Sequence, residues 1–129
     1  MRRNCHSTSP FEEKISFSRA VRVGNRIDVA GTAPIEADGT SVAEGAYAQS
    51  RRCFAIIEAA LKELGGSISD VVRTRMYLVD ADDWEEVGRA HGDVFRGVDP
   101  AATMLVAGGL LDPRWKVEIE AYAVVDDPD

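Results

Sequence analysis

Two glutamates separated by one residue, Glu118 and Glu120, lie in a run whose side chains alternate in character. Across residues 116–125, Val117, Ile119, Ala121, Ala123 and Val125 fall on one side, and Lys116, Glu118, Glu120 and Tyr122 on the other. That period of two belongs to a strand. Same-face neighbours are then roughly 6.6–6.8 Å apart, so the two carboxylates form a row beside one ammonium group. Such a row can place a water or move a proton, and it can equally be a solvated face. The loop before it holds Gly108-Gly109 and Asp112-Pro113, which let a backbone turn sharply and approach another group closely.

Other residue types narrow the chemistry. Gly31 interrupts a second strand pattern over residues 26–32, where glycine marks a bulge or the close approach of a ligand or another backbone. In residues 71–79, Val72, Thr74, Met76 and Leu78 alternate with Val71, Arg73, Arg75, Tyr77 and Val79, which puts two guanidinium groups on one face. His91 falls on an apolar helical stripe, the usual place of a core-edge histidine with one hydrogen bond. Cys5 and His6 are adjacent and His91 is distant, so no set has ligand spacing and neither a metal nor a cofactor is expected. With Cys5 in a polar lead-in and Cys53 inside a helical pattern, no disulfide framework emerges. An N-terminus without an apolar leader agrees with a cytoplasmic protein.

The elements that must position these groups follow in order. Residues 1–14 read as a flexible lead-in and residues 15–129 as one domain. Strands are predicted over 15–23 and 26–32, turning at Gly24-Asn25. Ser41 with Glu44 has the form of a capping box, and Ala46, Ser50, Cys53, Ile57, Ala60, Leu61 and Leu64 then recur at helical spacing up to Gly65-Gly66. A second box, Asp82 with Glu85, opens a helix whose stripe is Trp84, Val87, His91, Val94 and Phe95. The order β-β-α-β-α-β-β predicts an α+β fold, a single mixed sheet with two helices on one face. At 129 residues, with 45% hydrophobic and 29% charged, the chain can bury a core. No apolar run approaches the roughly 18–20 residues of a membrane span, so no membrane partner is expected. A net charge of −7 repels phosphate backbones and excludes nucleic acid as the expected partner.

Pro100-Ala101 before a short apolar strand, with Lys116-Val117-Glu118-Ile119-Glu120-Ala121 after the loop, resembles the C-terminal signature of the RidA/YjgF family. Val23-Gly24-Asn25 leading into Ile27-Asp28-Val29-Ala30-Gly31-Thr32 resembles its second strand, and Asp70-Val71-Val72-Arg73-Thr74 its third. The ordered resemblance covers about residues 15–125. It implies a fold similar to chorismate mutase of the trimeric type, assembled as a homotrimer with open sheet faces inward and a small-molecule pocket at each subunit cleft. It also implies hydrolysis of reactive enamines and imines, made by dehydratases that use pyridoxal phosphate, to keto acids and ammonia.

On the family pattern Glu118 places the attacking water, while Phe17, Ala30, Gly31, Ala102 and Thr103 surround the ligand. Ala102 stands where the family has a carboxylate-binding arginine, and a methyl group forgoes a charged contact of about 1.5–3 kcal/mol. Phe17 replaces a tyrosine and lacks its hydroxyl. The resulting pocket is more apolar than its parent. An enamine or imine deaminase of altered range and a non-catalytic, ligand-binding or regulatory trimer therefore stand as alternatives. An endoribonuclease, a label used for this family, is third and is opposed by the acidity of the chain. Arg19, Arg22, Arg73, Arg75 and Arg114 are the cations to be checked as replacements.

Overall fold

The computed structural model describes residues 1–126, so the domain boundary expected at Asp129 lies outside the described residues. Six strands form one sheet: β1 (Arg2–Cys5), β2 (Ala20–Val23), β3 (Arg26–Thr32), β4 (Val71–Leu78), β5 (Ala101–Val106) and β6 (Val117–Val124). Their spatial order is β1-β2-β3-β6-β4-β5. Only β4 and β5 are parallel, which makes the sheet mixed, as expected. The terminal strand is thus central. Its alternation holds in three dimensions: Val117, Ile119, Ala121 and Ala123 are buried, while Glu118, Glu120 and Tyr122 are half-buried on the opposite face.

Helices α2 (Ala46–Glu63) and α3 (Trp84–Phe95) cover the apolar face. Every residue of the expected α2 stripe is buried, from Ala46 through Ile57 to Leu64. Phe54 meets Phe95 edge to face with ring centroids 5.4 Å apart, fixing α2 against α3. His91 takes the core-edge role expected of it, with Nε2 at 2.9 Å from the Thr74 hydroxyl. Trp84 departs from its expected stripe and is 58% exposed, because α3 begins there after a 3-10 turn. Val72 also turns outward, since the pairing of β4 with β6 slips by one residue between Val71 and Arg73 and buries Val71 instead.

Both expected capping boxes dissolve. Ser41 accepts a hydrogen bond from Trp115 Nε1 at 2.9 Å and is bridged to Ile35, so it is not free to cap. The cap of α2 is Gly45, and its second amide, Tyr47 N–H, donates to Glu86 of α3 at 3.1 Å. Asp82 and Glu85 give way to Asp80, whose carboxylate accepts from the Asp82 amide. In both places a partner distant in sequence, or one turn earlier, satisfies the helix end better than the local box.

The lead-in is ordered, contrary to the expected flexible segment. β1 adds an edge strand antiparallel to β2, and residues 10–15 form a short helix, α1 (Pro10–Ile15), capped by Ser9. The polar sequence conceals two inward positions, Cys5 and Glu12, which are 2% and 3% exposed. The expected strand over 15–23 shortens accordingly, because Ser16 adopts a left-handed conformation (φ 74°) that closes α1 before β2 begins.

Gln49, 1% exposed, joins α2 to the segment that enters β6. Its Nε2 donates to the carbonyls of Val42 (3.2 Å) and Arg114 (3.1 Å), and its Oε1 accepts from Lys116 N–H at 2.7 Å. Replacing it by alanine strands all three backbone groups, and each buried orphan costs about 1–3 kcal/mol. Urea unfolding of Gln49→Ala should therefore show a loss of about 3 kcal/mol, well beyond the roughly 1 kcal/mol typical of a point mutant.

Candidate functional site

The site begins with a bulge. On β3 and β6, Val29 faces Ala121 but Thr32 faces Ile119, so Ala30 and Gly31 together occupy the space of one partner residue. This brings the backbone of Gly31 against the Glu118 side chain, where a Cβ would overlap the carboxylate. A side chain at 31 would therefore have to displace the Glu118 carboxylate from this position, the close approach that the glycine's place in the strand pattern suggested. Glu118 is half-buried between the fully buried Val117 and Ile119. Burial pushes its acid above the usual carboxylate range; the Arg19 guanidinium opposes that rise and Glu120 adds to it.

A cleft of about 450 Å³, counting the solvent at its mouth, opens beside this pair. Its interior has room for a few waters. Phe17, Gly31 and Glu118 line it together, and Ala30 borders an adjoining depression that shares Phe17. Further walls include Phe11, Leu111 and Trp115, with Ser7, Thr8 and Ser9 also lining it. Phe11 and Trp115 meet edge to face at 5.9 Å. None of these walls was among the expected site residues, although Ser9-Pro10 with Glu12 has the form of a helix start that marks an ordered segment.

Ala102 and Thr103 lie elsewhere within the protomer. They belong to β5, separated from β3 by β6 and β4. Thr103 aligns with Arg75 and accepts a hydrogen bond from Arg73 Nη2 at 2.7 Å. Ala102 aligns with Thr74 and is exposed at the sheet edge.

The candidate cations are mostly engaged. Arg114 grips Asp112 in its own loop, with Nη2 at 2.6 Å from the carboxylate, and holds that acid down to about 2. Arg22 donates to the carbonyls of Gly24 and Leu64, closing the end of α2. Arg75 donates to Glu120 at 3.1 Å and to the Tyr122 hydroxyl at 3.3 Å, while Tyr77 donates to Glu120 at 2.8 Å. The opposite charges of β4 and β6 therefore pair across the open face of one protomer. Arg19 alone of the five lines the cleft. It is 3% exposed, donating from Nε to Glu12 at 3.1 Å and from Nη1 to the Gly31 carbonyl (2.6 Å) and the Thr32 hydroxyl (3.0 Å).

Glu12, 3% exposed, completes the cluster. Burial raises its acid, but the Ser7 hydroxyl and amide and the Arg19 charge outweigh burial and hold it below the usual value. Among the described residues no group of three or more histidine, cysteine or carboxylate side chains could hold a metal, and no helix is long and apolar enough to cross a membrane.

Known proteins share this architecture. The family profile described as Endoribonuclease L-PSP matches residues 8–125. An uncharacterised protein of Streptomyces coelicolor is 40% identical over 122 residues, covering 93% of this chain and 91% of its own. A RutC family protein of Pyrococcus abyssi is 33% identical over 108 residues, covering 83% of this chain and 84% of its own. The crystal structure of a YjgF/YER057c/UK114 family member from Mycobacterium tuberculosis superposes with a TM-score of 0.89 at 39% identity, over 97% of this chain and 100% of that one. Ordered motifs, sheet topology and matches over nearly the whole length agree: the chain belongs to the Endoribonuclease L-PSP family, the YjgF/RidA group.

Proposed function

We propose that this protein hydrolyses the C=N bond of small imines, including those formed from enamines, at Glu118. The observation that supports this reading is a half-buried glutamate, raised above the usual carboxylate range, in a cleft against a glycine bulge. A general base works best when its affinity for protons approaches the operating pH. Glu118 takes a proton from water as its oxygen adds to the imine carbon and returns that proton to the nitrogen; the carbinolamine hydroxyl then gives up its own proton to the nitrogen as the C=O bond forms, the C–N bond breaks, and ammonia leaves with the ketone behind. Phe11, Phe17, Leu111 and Trp115 favour substrates with an aliphatic or aromatic substituent.

The assembly we infer is a homotrimer whose subunit clefts hold the ligand. Supporting it, the β5 edge is unpaired in a single chain and exposes Leu105 (38%) and Val106 (53%). In such an assembly a neighbour's Ala102 and Thr103 complete the pocket begun by Gly31 and Glu118. A non-catalytic ligand-binding trimer is the second reading, favoured by Ala102, whose methyl group cannot hold a substrate carboxylate. RNA cleavage is disfavoured by the net charge of −7, since cations are needed to bind the phosphates.

Three outcomes are expected. Turnover of the imines derived from 2-aminoacrylate and 2-aminobutenoate should fall by about 10²–10⁴-fold in Glu118→Ala; activity appearing only in Ala102→Arg would instead favour the binding role. The folded chain holds the Glu118 proton more tightly than the unfolded chain, so stability declines as pH rises from the ordinary glutamate range through the raised value. Glu118→Gln should accordingly raise Tm at pH 7, and that gain should vanish at pH 4. Light scattering should give a mass three times the 14.0 kDa of one chain.

A further inference from the structure

We propose that Arg19 is the positioning residue of this site: through its fork on the Gly31 carbonyl and the Thr32 hydroxyl it fixes the β3 bulge against Glu118, and through Glu12 it locks the N-terminal segment that walls the cleft. The inference deepens the reading of Glu118 as the reacting group and rests on it.

The geometry is specific. Arg19 immediately precedes β2, and its backbone extends the ladder on both sides, donating to the Cys5 carbonyl (2.8 Å) and accepting from Ala30 N–H (2.9 Å). Its side chain reaches past Ala30 to Gly31, inside the register slip, and to Thr32, where the pairing resumes. A bulge leaves carbonyls that the ladder no longer pairs. The 2.6 Å contact to Gly31 supplies that partner, and as a charge-assisted bond it is stronger than a neutral one. A lysine has one point of contact and cannot span Glu12, Gly31 and Thr32 together. Glu12 is held in turn by the Ser7 hydroxyl and amide and by His6 Nδ1 at 3.1 Å, so one cation orders residues 6–12 and the bulge at once.

The guanidinium also acts on Glu118 across space, favouring the ionised form that a general base requires. Other titratable neighbours leave that influence legible. Glu120, next on the same face of β6, opposes it. Tyr77, opposite on β4, is kept neutral by its hydrogen bond to Glu120, and Cys53 of α2 is kept neutral by burial.

The test uses the full chain labelled with 13C at glutamate side chains, the Glu118 resonance being assigned by its loss in Glu118→Gln. In the charge-neutral pair Glu12→Gln with Arg19→Gln, the Glu118 midpoint should move upward, and kcat should fall by about tenfold or more with a smaller change in KM. In Arg19→Lys, which keeps the charge and loses the fork, hydrogen exchange of the amides at 30–32 should accelerate by about tenfold or more while the Glu118 midpoint stays near that of the parent. A Glu118 midpoint unmoved in the folded double variant, or unchanged amide protection in Arg19→Lys, would overturn the assignment. Absence of imine turnover in the parent protein, with both responses present, would instead remove the catalytic reading and leave the positioning role standing.

Discussion

The arrangement depends on a positive charge buried where water cannot solvate it. Arg19 is tolerated at 3% exposure only because a carboxylate, a carbonyl and a hydroxyl converge on it. A buried pair of this kind adds little net stability compared with apolar packing, yet removing one partner is costly because the other is stranded. Its value lies in specificity of arrangement. Three stretches far apart in character, the polar N-terminal segment, the start of β2 and the bulged end of β3, must all be in place for the charge to be satisfied.

That constraint propagates to the cleft. With the Gly31 backbone drawn against Glu118, a side chain at 31 would push the carboxylate out of its place, and the carboxylate is left among Phe17, Trp115 and the buried residues on either side of it. Desolvation then raises the acid, and the nearby guanidinium limits the rise. A carboxylate held in this way opposes stability at neutral pH. Conflicts of that sort are where a fold departs from its own optimum in favour of chemistry.

The rest of the open face behaves differently. Arg75, Glu120, Tyr77 and Tyr122 satisfy one another across β4 and β6, and Arg73 satisfies Thr103 on β5. Partly exposed pairs of this kind contribute about 0–1 kcal/mol each, so they order the face more than they hold the fold together. Gln49 does the comparable work at the other end of β6, tying the loop that carries Trp115 to α2 with two bonds to backbone and adding a third to the Val42 carbonyl.

Patterns of period two and 3.6 carry their information locally, and wherever local information was enough the sequence alone determined the outcome. The alternation of the terminal strand, the α2 stripe, the charged faces of β4 and β6 and the close approach at Gly31 were all legible, as was family membership from the order of motifs. Elements decided by partners far along the chain were not. The lead-in reads as polar because its two buried residues, Cys5 and Glu12, find their partners only when β1 meets β2 and Arg19 arrives. The helix caps moved because Trp115 claimed Ser41 and Glu86 of α3 reached the Tyr47 amide in the first turn of α2. The one-residue slip at Val72 cannot be read from a pattern that alternates on both sides of it, whereas the one at Ala30-Gly31 was marked only by its glycine. The same limit applies to the walls of the cleft: apolar rings at 11, 17 and 115 have no common period, and only the closure of the N-terminal segment over the bulge brings them around one space.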